Sequence, residues 1–450
     1  MPIPDLLWRK TSAKEFITLD TYRRAAGSRL FYGWIIVAVS FVTLFLVIGT
    51  RFSLGIFYLE ILEEYSWTRA ETAGAFSTMM AVHAVFSLAV GVLFDRLGPR
   101  KLFPLGGLAI AIGFAACSQI RAVWQLYVFL GGIAAVGVST LAFVPHMALV
   151  PNWFVRRRGL ASGVVYAGIG SGQLALAPLI QAMVSSIGWR AAFVVLASAI
   201  LLVVVPLTAI FQRRRPEEMG LYPDGVPPTE VPSPPRELQH RPAHSASDKA
   251  TEWTIAQAAR TPQFWLLMLT GTGLGMNLNT LMVHQMAFLT DVGYSKLLAA
   301  SVLGVIGGLR SVGGMSLGSL SDRVGREVAY SLGSSAAFVG IIVLMSIHDT
   351  SQPWRLYLFM VTYGLGYGAL GPVYAAATAD LFPGKQLGTI LGVLEAGYGL
   401  GGALGAFVAG YLFDVLGHYV LSFTLVLSAI AFSCAGLWLA APRRMRALRP

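Results

Sequence analysis

Charged residues are scarce in this 450-residue chain: Asp, Glu, Lys and Arg together make up 12% of it, against a usual share of about 25%. Hydrophobic residues supply 55%. A soluble chain of this length needs charged surface around several domains, and here the apolar residues come instead in long runs. The composition therefore argues against a soluble protein and indicates that a lipid bilayer is the solvent.

Cysteine is nearly absent, and Cys117 and Cys434 each stand alone inside an apolar run. No spacing suggests a disulfide framework or a metal site, so we expect no metal and no cofactor. The sequence also lacks H-E-x-x-H, a phosphate-binding loop and a serine–histidine arrangement, which argues against an enzyme. The net charge of +11 is spread over short segments between apolar runs. That distribution argues against a nucleic-acid partner.

Twelve apolar runs, numbered here as segments 1 to 12, approach or exceed the length of about 20 residues that crosses a bilayer core. They predict an all-α polytopic membrane protein with 12 transmembrane helices in two six-helix bundles. The runs are 32–58, 72–94, 102–120, 123–150, 159–182, 190–211, 263–288, 297–320, 328–347, 355–380, 387–412 and 420–441.

The segments divide the chain into two bundles, residues 31–211 and 263–441, flanked by tails at 1–30 and 442–450. The connecting stretch 212–262 is rich in proline, serine and charge, which predicts a largely disordered linker. Outside that linker, 19 Lys and Arg residues lie on the side of the termini and five on the opposite side. This asymmetry predicts that both termini and the linker are cytoplasmic.

An internal repeat relates the two bundles. The loop after segment 2 reads GVLFDRLGPRK, and the loop after segment 8 reads GSLSDRVGR. Six glycines of segment 5 and the following loop recur in segment 11 and its loop at a constant offset of 229 residues. The two loops match at an offset of 227, where Gly91, Asp95, Arg96 and Gly98 correspond to Gly318, Asp322, Arg323 and Gly325.

In this loop the chain resembles the major facilitator superfamily, whose signature is G-x-x-x-D-R-x-G-x-R-[RK]. The second copy departs from this signature after Gly325, because Arg326, Glu327 and Val328 stand where the closing basic pair would be. The resemblance implies two bundles that rock about a midplane site in a monomer, with the two loops as a cytoplasmic gate. The alternative is that the loop arginines only set topology. The first copy is filled completely, by Gly91, Asp95, Arg96, Gly98, Arg100 and Lys101.

A narrower resemblance lies in three stretches, FYGWIIV, WFVRRRGLASGVVYAGIGSG and RRRPEEMGLYPDG. They are similar to bacterial relatives of the monocarboxylate porters and oxalate–formate exchangers. The resemblance implies a secondary transporter of small organic anions in the inner (plasma) membrane. The alternatives are proton-driven efflux of lipophilic compounds by the same fold, or a sensor derived from it.

Apart from His146, which lies nearer the cytoplasmic end of segment 4 and ranks lower, five ionisable candidates lie deep in the apolar runs, where a charge costs about 2.5–3.5 kcal/mol on insertion scales. They are Arg51, His83, His284, Arg310 and Glu395. His83 and Arg310 correspond through the repeat, as do Glu395 and Tyr166. In the fold that the chain resembles, segment 2 abuts segment 11 and segment 5 abuts segment 8. We therefore expect His83 to face Glu395, and Arg310 to face Tyr166.

Arg310 offers a permanent charge and a planar fork that suits a carboxylate. The alternative is a structural ion pair with Glu395. Counting from the loop motif, the arginine of the resembled family falls at Gly314, one turn away, which leaves substrate length and pose open. His83 and Glu395 are the titratable pair at mid-depth, so we expect them to couple transport to protons.

Other candidates line the segments that face the path in the resembled fold. Arg51 either attracts anions from outside or is a snorkelling arginine near a helix end, whose charge reaches the membrane surface. Asn277 and His284 share one helix face, which predicts substrate contact. Tyr367 belongs to a tyrosine stripe in segment 10 that serves either packing or substrate binding.

Overall fold

The computed structural model describes residues 31–154, 157–225, 253–384 and 386–440. The two tails, 1–30 and 442–450, lie outside these ranges. Within the described part the chain is helical and contains no β-strand. Its 12 long helices are α1 (Tyr32–Tyr65), α2 (Arg69–Leu97), α3 (Pro99–Cys117), α4 (Val123–Trp153), α5 (158–187), α6 (189–211), α7 (Pro262–Asp291), α8 (Lys296–Val324), α9 (Arg326–Met345), α10 (Pro353–Leu381), α11 (Leu387–Leu416) and α12 (Val420–Ala440).

Eleven of the 12 helices, all except α2, have the length and composition of membrane spans. They form ten helical stretches in the described residues, because α5 and α6 are one continuous stretch. That stretch bends at Gly188, whose φ of 81° only glycine adopts readily. The all-α polytopic fold expected from the apolar runs is confirmed.

The repeated loop motif has a backbone reason. Gly98 ends α2 with a φ of 70° and begins α3, and Gly325 ends α8 with a φ of 100° and begins α9. A side chain at either position would strain this left-handed conformation. The matched glycines therefore permit the two tight connections, between α2 and α3 and between α8 and α9, at which the chain turns back into its bundle.

Two pairs of helices join the bundles: α2 packs along α11, and α5 packs along α8. Both contacts are close because glycine leaves room for the facing helix. A methyl group at Gly399 would lie 2.5 Å from the Ala84 Cβ, and one at Gly170 would lie 1.8 Å from the Ser311 Oγ. The neighbours expected for segments 2, 5, 8 and 11 are confirmed.

The described ends of the linker, 212–225 and 253–262, are attached to the bundles. The Trp153 indole donates to the Arg213 carbonyl oxygen at 3.1 Å, which fastens the first end to α4. At the other end, the Ile255 N–H donates to the Gln386 side chain at 3.0 Å. These bonds hold both ends of the linker against the bundles, and the expectation of a largely disordered linker stays a prediction. Residues 226–252 lie outside the described part.

Helix α1 is interrupted at Ser53, which has a ψ of 1° and separates Tyr32–Phe52 from Leu54–Tyr65. The Ser53 hydroxyl donates to the Gly49 carbonyl oxygen at 2.9 Å. Broken helices in membrane carriers occur beside binding sites. This interruption places Arg51 and Phe52 at the wall of the central cavity.

Candidate functional site: a central cavity between the two bundles

The cavity between the bundles has a volume of about 720 Å³. Helix ends near Gly98, Phe211 and Gly325 define what we call the linker face, and the opposite ends near Tyr65 and Asp291 define the far face. The cavity extends to the linker face, since its lining includes Gly91, Asn152, Arg214 and Gly388 from helix ends or connections there. Its inner part is lined by Arg51, Phe52, His83, Ser139, Tyr166, Arg310, Tyr367, Glu395 and Tyr398.

Arg310 lies on the inner wall of the cavity and is 6% exposed. Among the described residues, no hydrogen bond or ion pair holds its guanidinium. Its Cζ lies 4.2 Å from the centroid of the Phe52 ring, a cation–π contact. A structural ion pair between Arg310 and Glu395 is not present in this conformation. The side chain is positioned by an aromatic face while its charge remains available.

Arg51 lies beside the same ring, with its Cζ 5.5 Å from the Phe52 centroid. Its Nη2 donates to the Met80 sulfur at 3.1 Å. It lines the inner cavity rather than a helix end, so the structure does not support the alternative in which the charge reaches the membrane surface. Arg51 and Arg310 come from different bundles and meet at one aromatic side chain.

His83 and Glu395 face each other across the boundary between α2 and α11. The His83 Nε2 lies 3.6 Å from a Glu395 carboxylate oxygen, which confirms the expected proximity. The other ring nitrogen, Nδ1, lies 3.0 Å from the Ser139 hydroxyl oxygen. That hydroxyl donates its own proton to the Ala135 carbonyl oxygen at 2.8 Å, so it accepts from Nδ1. This network assigns a proton to Nδ1 and turns Nε2 towards the carboxyl group.

The tyrosine stripe of α10 packs this helix onto α7. Tyr363 donates to the Asn277 side-chain oxygen at 3.0 Å, and Tyr367 and Tyr374 donate to backbone carbonyl oxygens of α7 at 3.3 and 3.1 Å. Tyr367 also lines the cavity, as does Tyr166 on α5, which shares the wall with Arg310. Packing is thus the common role of the stripe, and Tyr367 is its member in the cavity lining.

Asn277 and His284 do not line the cavity in this conformation. The Asn277 amide accepts from Tyr363. His284 is buried, with Nε2 donating to the Ala406 carbonyl oxygen at 2.8 Å and Nδ1 within 3.4 Å of the Tyr58 hydroxyl. Helical periodicity identified their common face but not the depth at which the bundles close over it. Their contact with substrate stays a prediction.

The far face is closed by polar contacts between the bundles, which the sequence did not reveal. Arg69 at the start of α2 pairs with Asp291 of α7 at 2.8 Å and lies over the Phe413 ring at 3.7 Å. The Asp414 carboxylate accepts from the N–H groups of Arg69 and Ala70 at 2.9 and 2.7 Å. An acidic side chain of one bundle thus caps the first turn of a helix of the other.

A second contact closes the same face on the other side of the path. The Lys296 ammonium of α8 binds Glu60 and Glu63 of α1 at 2.9 and 2.6 Å. Helix α1 continues to Tyr65, beyond its predicted end at 58, because Glu60, Glu63 and Glu64 end the apolar run but not the helix. The acidic residues and the lone basic residues of the loops were the available signal, but their pairing depends on the fold.

At the linker face, the described contacts of the gate motif stay within one bundle. Arg326 binds Asp322 at 2.6 Å and Asp380 of α10 at 3.0 Å. Arg100 donates to the Ala209 carbonyl oxygen near the end of α6 at 3.2 Å. Among the described residues, no ion pair joins the two bundles at this face. The gate role of the motif, including Asp95, Arg96 and Arg323, stays a prediction.

Among the residues described here, no three His, Cys, Asp or Glu side chains group together in a way that could hold a metal ion. Ser139 is the functional candidate that sequence reasoning missed at this depth. The available sequence signal was the pair of neighbouring hydroxyl residues, Ser139 and Thr140, in the largely apolar segment 4.

Comparison with known proteins gives concordant similarities. The family described as Major Facilitator Superfamily matches residues 39–374 and 351–449. The chain is 30% identical over 407 residues to monocarboxylate transporter 13 of Bos taurus, covering 90% of this chain and 88% of that protein. It is 23% identical over 394 residues to monocarboxylate transporter 2 of Homo sapiens, covering 86% and 81%.

Among solved structures, the fold is similar to that of a bacterial homolog of the human lysosomal transporter Spinster in an inward-facing and unoccupied conformation. The TM-score is 0.68 at 17% sequence identity, covering 93% of this chain and 98% of that chain. The inward-facing and occupied structure of a bacterial Spinster homolog gives a TM-score of 0.67 at 16% identity, covering 91% and 96%. At this level of identity the similarity concerns the fold.

Proposed function

Because the chain belongs to the major facilitator superfamily, in its monocarboxylate transporter branch, we propose that it carries small carboxylates together with protons across the inner (plasma) membrane. The membership itself confirms the family expected from the loop motif and the internal repeat. The protein is a multi-pass membrane transporter. Substrate, proton coupling and alternating access are the proposed parts.

The observation that carries the anion substrate is Arg310. A guanidinium that is 6% exposed, without an acidic partner among the described residues, requires compensation of its charge. Phe52 contributes only a cation–π contact, and the open side of the guanidinium lines a cavity between the bundles. A carboxylate of the substrate supplies the missing charge and can accept two parallel hydrogen bonds.

Proton coupling is assigned to the His83–Glu395 pair. With Nδ1 of His83 protonated towards Ser139, one further proton between Nε2 and the carboxyl oxygen changes the charge of the pair by one. Such a proton increases the net positive charge of the cavity and so favours anion binding beside Arg310. Release of either ligand weakens the binding of the other, which is the thermodynamic condition for symport.

The excess of Lys and Arg on the side of the termini supports a cytoplasmic linker face. With that orientation, the conformation described here is inward-open, since the cavity reaches the linker face while Arg69, Asp291 and Lys296 participate in closing the far face. Transport then requires these far-face contacts to open while the linker face closes. The alternating exposure of Arg310 to the two sides is the proposed carrier cycle.

Export of lipophilic compounds is a poorer match to this cavity. An apolar or cationic solute would leave Arg51 and Arg310 without a counter-charge in a space shielded from water, which is electrostatically unfavourable. The sensor alternative is not supported by the described part of the chain, which contains no folded domain beyond the two bundles and the linker ends. Carboxylate transport accounts for both arginines.

Uptake of labelled lactate and butyrate into proteoliposomes, with and without a pH gradient, tests the function. We expect accumulation driven by the gradient, and loss of at least tenfold in Arg310→Gln. Arg121→Gln removes a charge from an exposed loop and is the matched control, expected to retain uptake. Carboxylate uptake that is equal in the Arg310 variant and the wild type, or absent from a folded wild type, would refute the assignment.

A further inference from the structure

Two permanent positive charges meet at one aromatic ring in the inner cavity. The Cζ atoms of Arg310 and Arg51 lie 4.2 and 5.5 Å from the centroid of the Phe52 ring. Arg51 comes from α1 and Arg310 from α8, so each bundle contributes one guanidinium. Neither makes an ion pair within 4.0 Å with any described acidic residue. The cavity therefore contains two anion-binding groups rather than one.

The cavity lining offers little negative charge to compensate the two guanidinium groups. Among the described residues that line the cavity, Glu395 is the one acidic side chain. It is directed at His83, 3.6 Å away. The His83–Glu395 pair carries one negative charge without a shared proton and none with it, whichever partner holds that proton. The other arginines of the lining, Arg214 and Arg215, lie in the connection after α6 at the linker-face mouth.

Charge balance then distinguishes two substrate classes. If the pair is unprotonated, it balances one arginine and a monoanion balances the other. If the pair holds its proton, both arginines are uncompensated, and a monoanion still leaves one positive charge in a cavity of low dielectric. A dianion neutralises both. Proton symport is therefore matched by a substrate with two negative charges.

Resting on the proposed proton-coupled function, we propose that the preferred substrate is a short dicarboxylate, bound at one end by Arg310 and at the other by Arg51, and carried with one proton. Phe52, which lies near both guanidinium groups, provides an apolar face for the methylene chain that joins the two carboxylates. Each guanidinium receives a planar carboxylate partner, the geometry to which it is best suited. One negative charge crosses the membrane in each cycle.

Labelled succinate in proteoliposomes is the probe, with succinamate as the matched competitor because it has the same chain length and one carboxylate. We expect an inward proton gradient to drive succinate accumulation and an inside-positive potential to accelerate it. Succinamate should compete at least tenfold more weakly than succinate. Equal competition by the two compounds, or uptake insensitive to the potential, would overturn a two-carboxylate site.

Arg51→Gln tests the second cation. We expect succinate uptake to fall at least tenfold relative to succinamate uptake, whereas Arg51→Lys retains the charge and the preference for succinate. Arg121→Gln, in an exposed loop, should leave the preference as in the wild type. Equal loss of both substrates in folded Arg51→Gln would contradict the assignment of one carboxylate to Arg51.

Binding in detergent gives a second measurement for variants that no longer transport. Succinate should raise the Tm of the wild type and of Arg51→Lys more than succinamate does, and this difference should vanish in Arg51→Gln. A protein that carries lactate and butyrate but rejects succinate refutes the dicarboxylate class and leaves the proposed function standing. A folded protein that carries none of these compounds refutes both.

Discussion

The His83 Nε2 lies 3.6 Å from the Glu395 carboxylate although 312 positions of the chain separate them and they belong to different bundles. Neither residue has another charged partner within 4.0 Å among the described residues. The pair is therefore a site where one proton can reside at mid-depth, between the helices α2 and α11 that join the two halves. Because both residues line the cavity, a proton bound by the pair changes the net charge of the cavity by one.

Glu395→Gln mimics the protonated carboxyl and cannot release the proton. We expect exchange of labelled substrate across the membrane to continue, while accumulation driven by a pH gradient disappears. A gradient of one pH unit supports about tenfold accumulation by a one-proton symporter, and the variant should stay near equal concentrations. Glu218→Gln on the exposed linker end is the matched control. Wild-type accumulation in Glu395→Gln would remove this residue from coupling.

Ser139→Ala removes the oxygen that accepts from His83 Nδ1. The doubly protonated ring then has an unsatisfied N–H, whereas the neutral ring can move its single proton to Nε2. With a hydrogen bond contributing about 1 kcal/mol, the midpoint of the pH dependence of uptake should move by roughly half to one unit towards acid. Ser139→Thr retains a hydroxyl and should restore the profile. An unchanged midpoint in a folded Ser139→Ala protein would argue for a purely structural serine.

Part of this site could be predicted from the sequence. The constant offsets place His83 and Glu395 at similar depth, and the resembled fold supplies the contact between α2 and α11. The glycines Gly98 and Gly325 likewise marked two real turns. These features depend on spacing along a helix and on backbone conformation, both of which sequence patterns report.

The relation of Arg51 to Arg310 could not be predicted in the same way. It depends on the interruption of α1 at Ser53, and nothing in the apolar run around that serine indicates a break. The Arg69–Asp291 contact joins the first residue of α2 to the last residue of α7, and charged residues at helix ends look alike in a sequence whether they are paired or solvated. Helical periodicity likewise identified the common face of Asn277 and His284, but it does not report what covers that face.

Asp291→Asn tests the far-face closure. Removing the charge that holds Arg69 should destabilise the closed far face by about 1–2 kcal/mol, which raises the far-side-open population about 5- to 30-fold. The measurement uses Asn279→Cys, since Asn279 of α7 is 7% exposed and lines a small pocket together with Arg51. Labelling of this cysteine by a membrane-impermeant maleimide added from the far side reports the opening. Cys117 and Cys434 are replaced by Ala in this background.

The matched control is Arg190→Ala, which removes a contact with Glu64 at 2.6 Å within a single bundle. It breaks a more exposed ion pair, with side chains 42% and 41% exposed against 16% and 40% for Arg69 and Asp291, without touching the interface between the bundles. We expect its labelling to resemble that of the parent protein. Equal labelling in the Asp291 variant and the parent would show that the Arg69–Asp291 pair does not hold the face closed.

Substitution by alanine should destabilise the protein at one glycine of α11 and have almost no effect at another. A methyl group at Gly401 would lie 1.9 Å from the Thr272 carbonyl oxygen, whereas at Gly392 nothing lies within 4 Å. Since backbone atoms of α7 must move to admit it, Gly401→Ala should cost about 1–3 kcal/mol, and Gly392→Ala should leave stability almost unchanged. Thermal unfolding in detergent measures both, and similar Tm values for the two variants would contradict the close contact between α7 and α11.

Gly392 is open because the cavity is open at the linker face, where Gly388 and Gly392 form part of its wall. If the bundles rock, this wall approaches the other bundle when the linker face closes. Gly392→Leu should therefore retain the Tm and the binding of substrate in detergent, yet lose at least tenfold in transport because closure is obstructed. The exposed Gly417 is unsuitable as a control, since its φ of 74° requires glycine. Gly159→Leu is the matched control, because Gly159 of α5 lies in equally open space but outside the cavity lining. Transport by Gly392→Leu at the rate of this control would show that the linker face does not close over position 392.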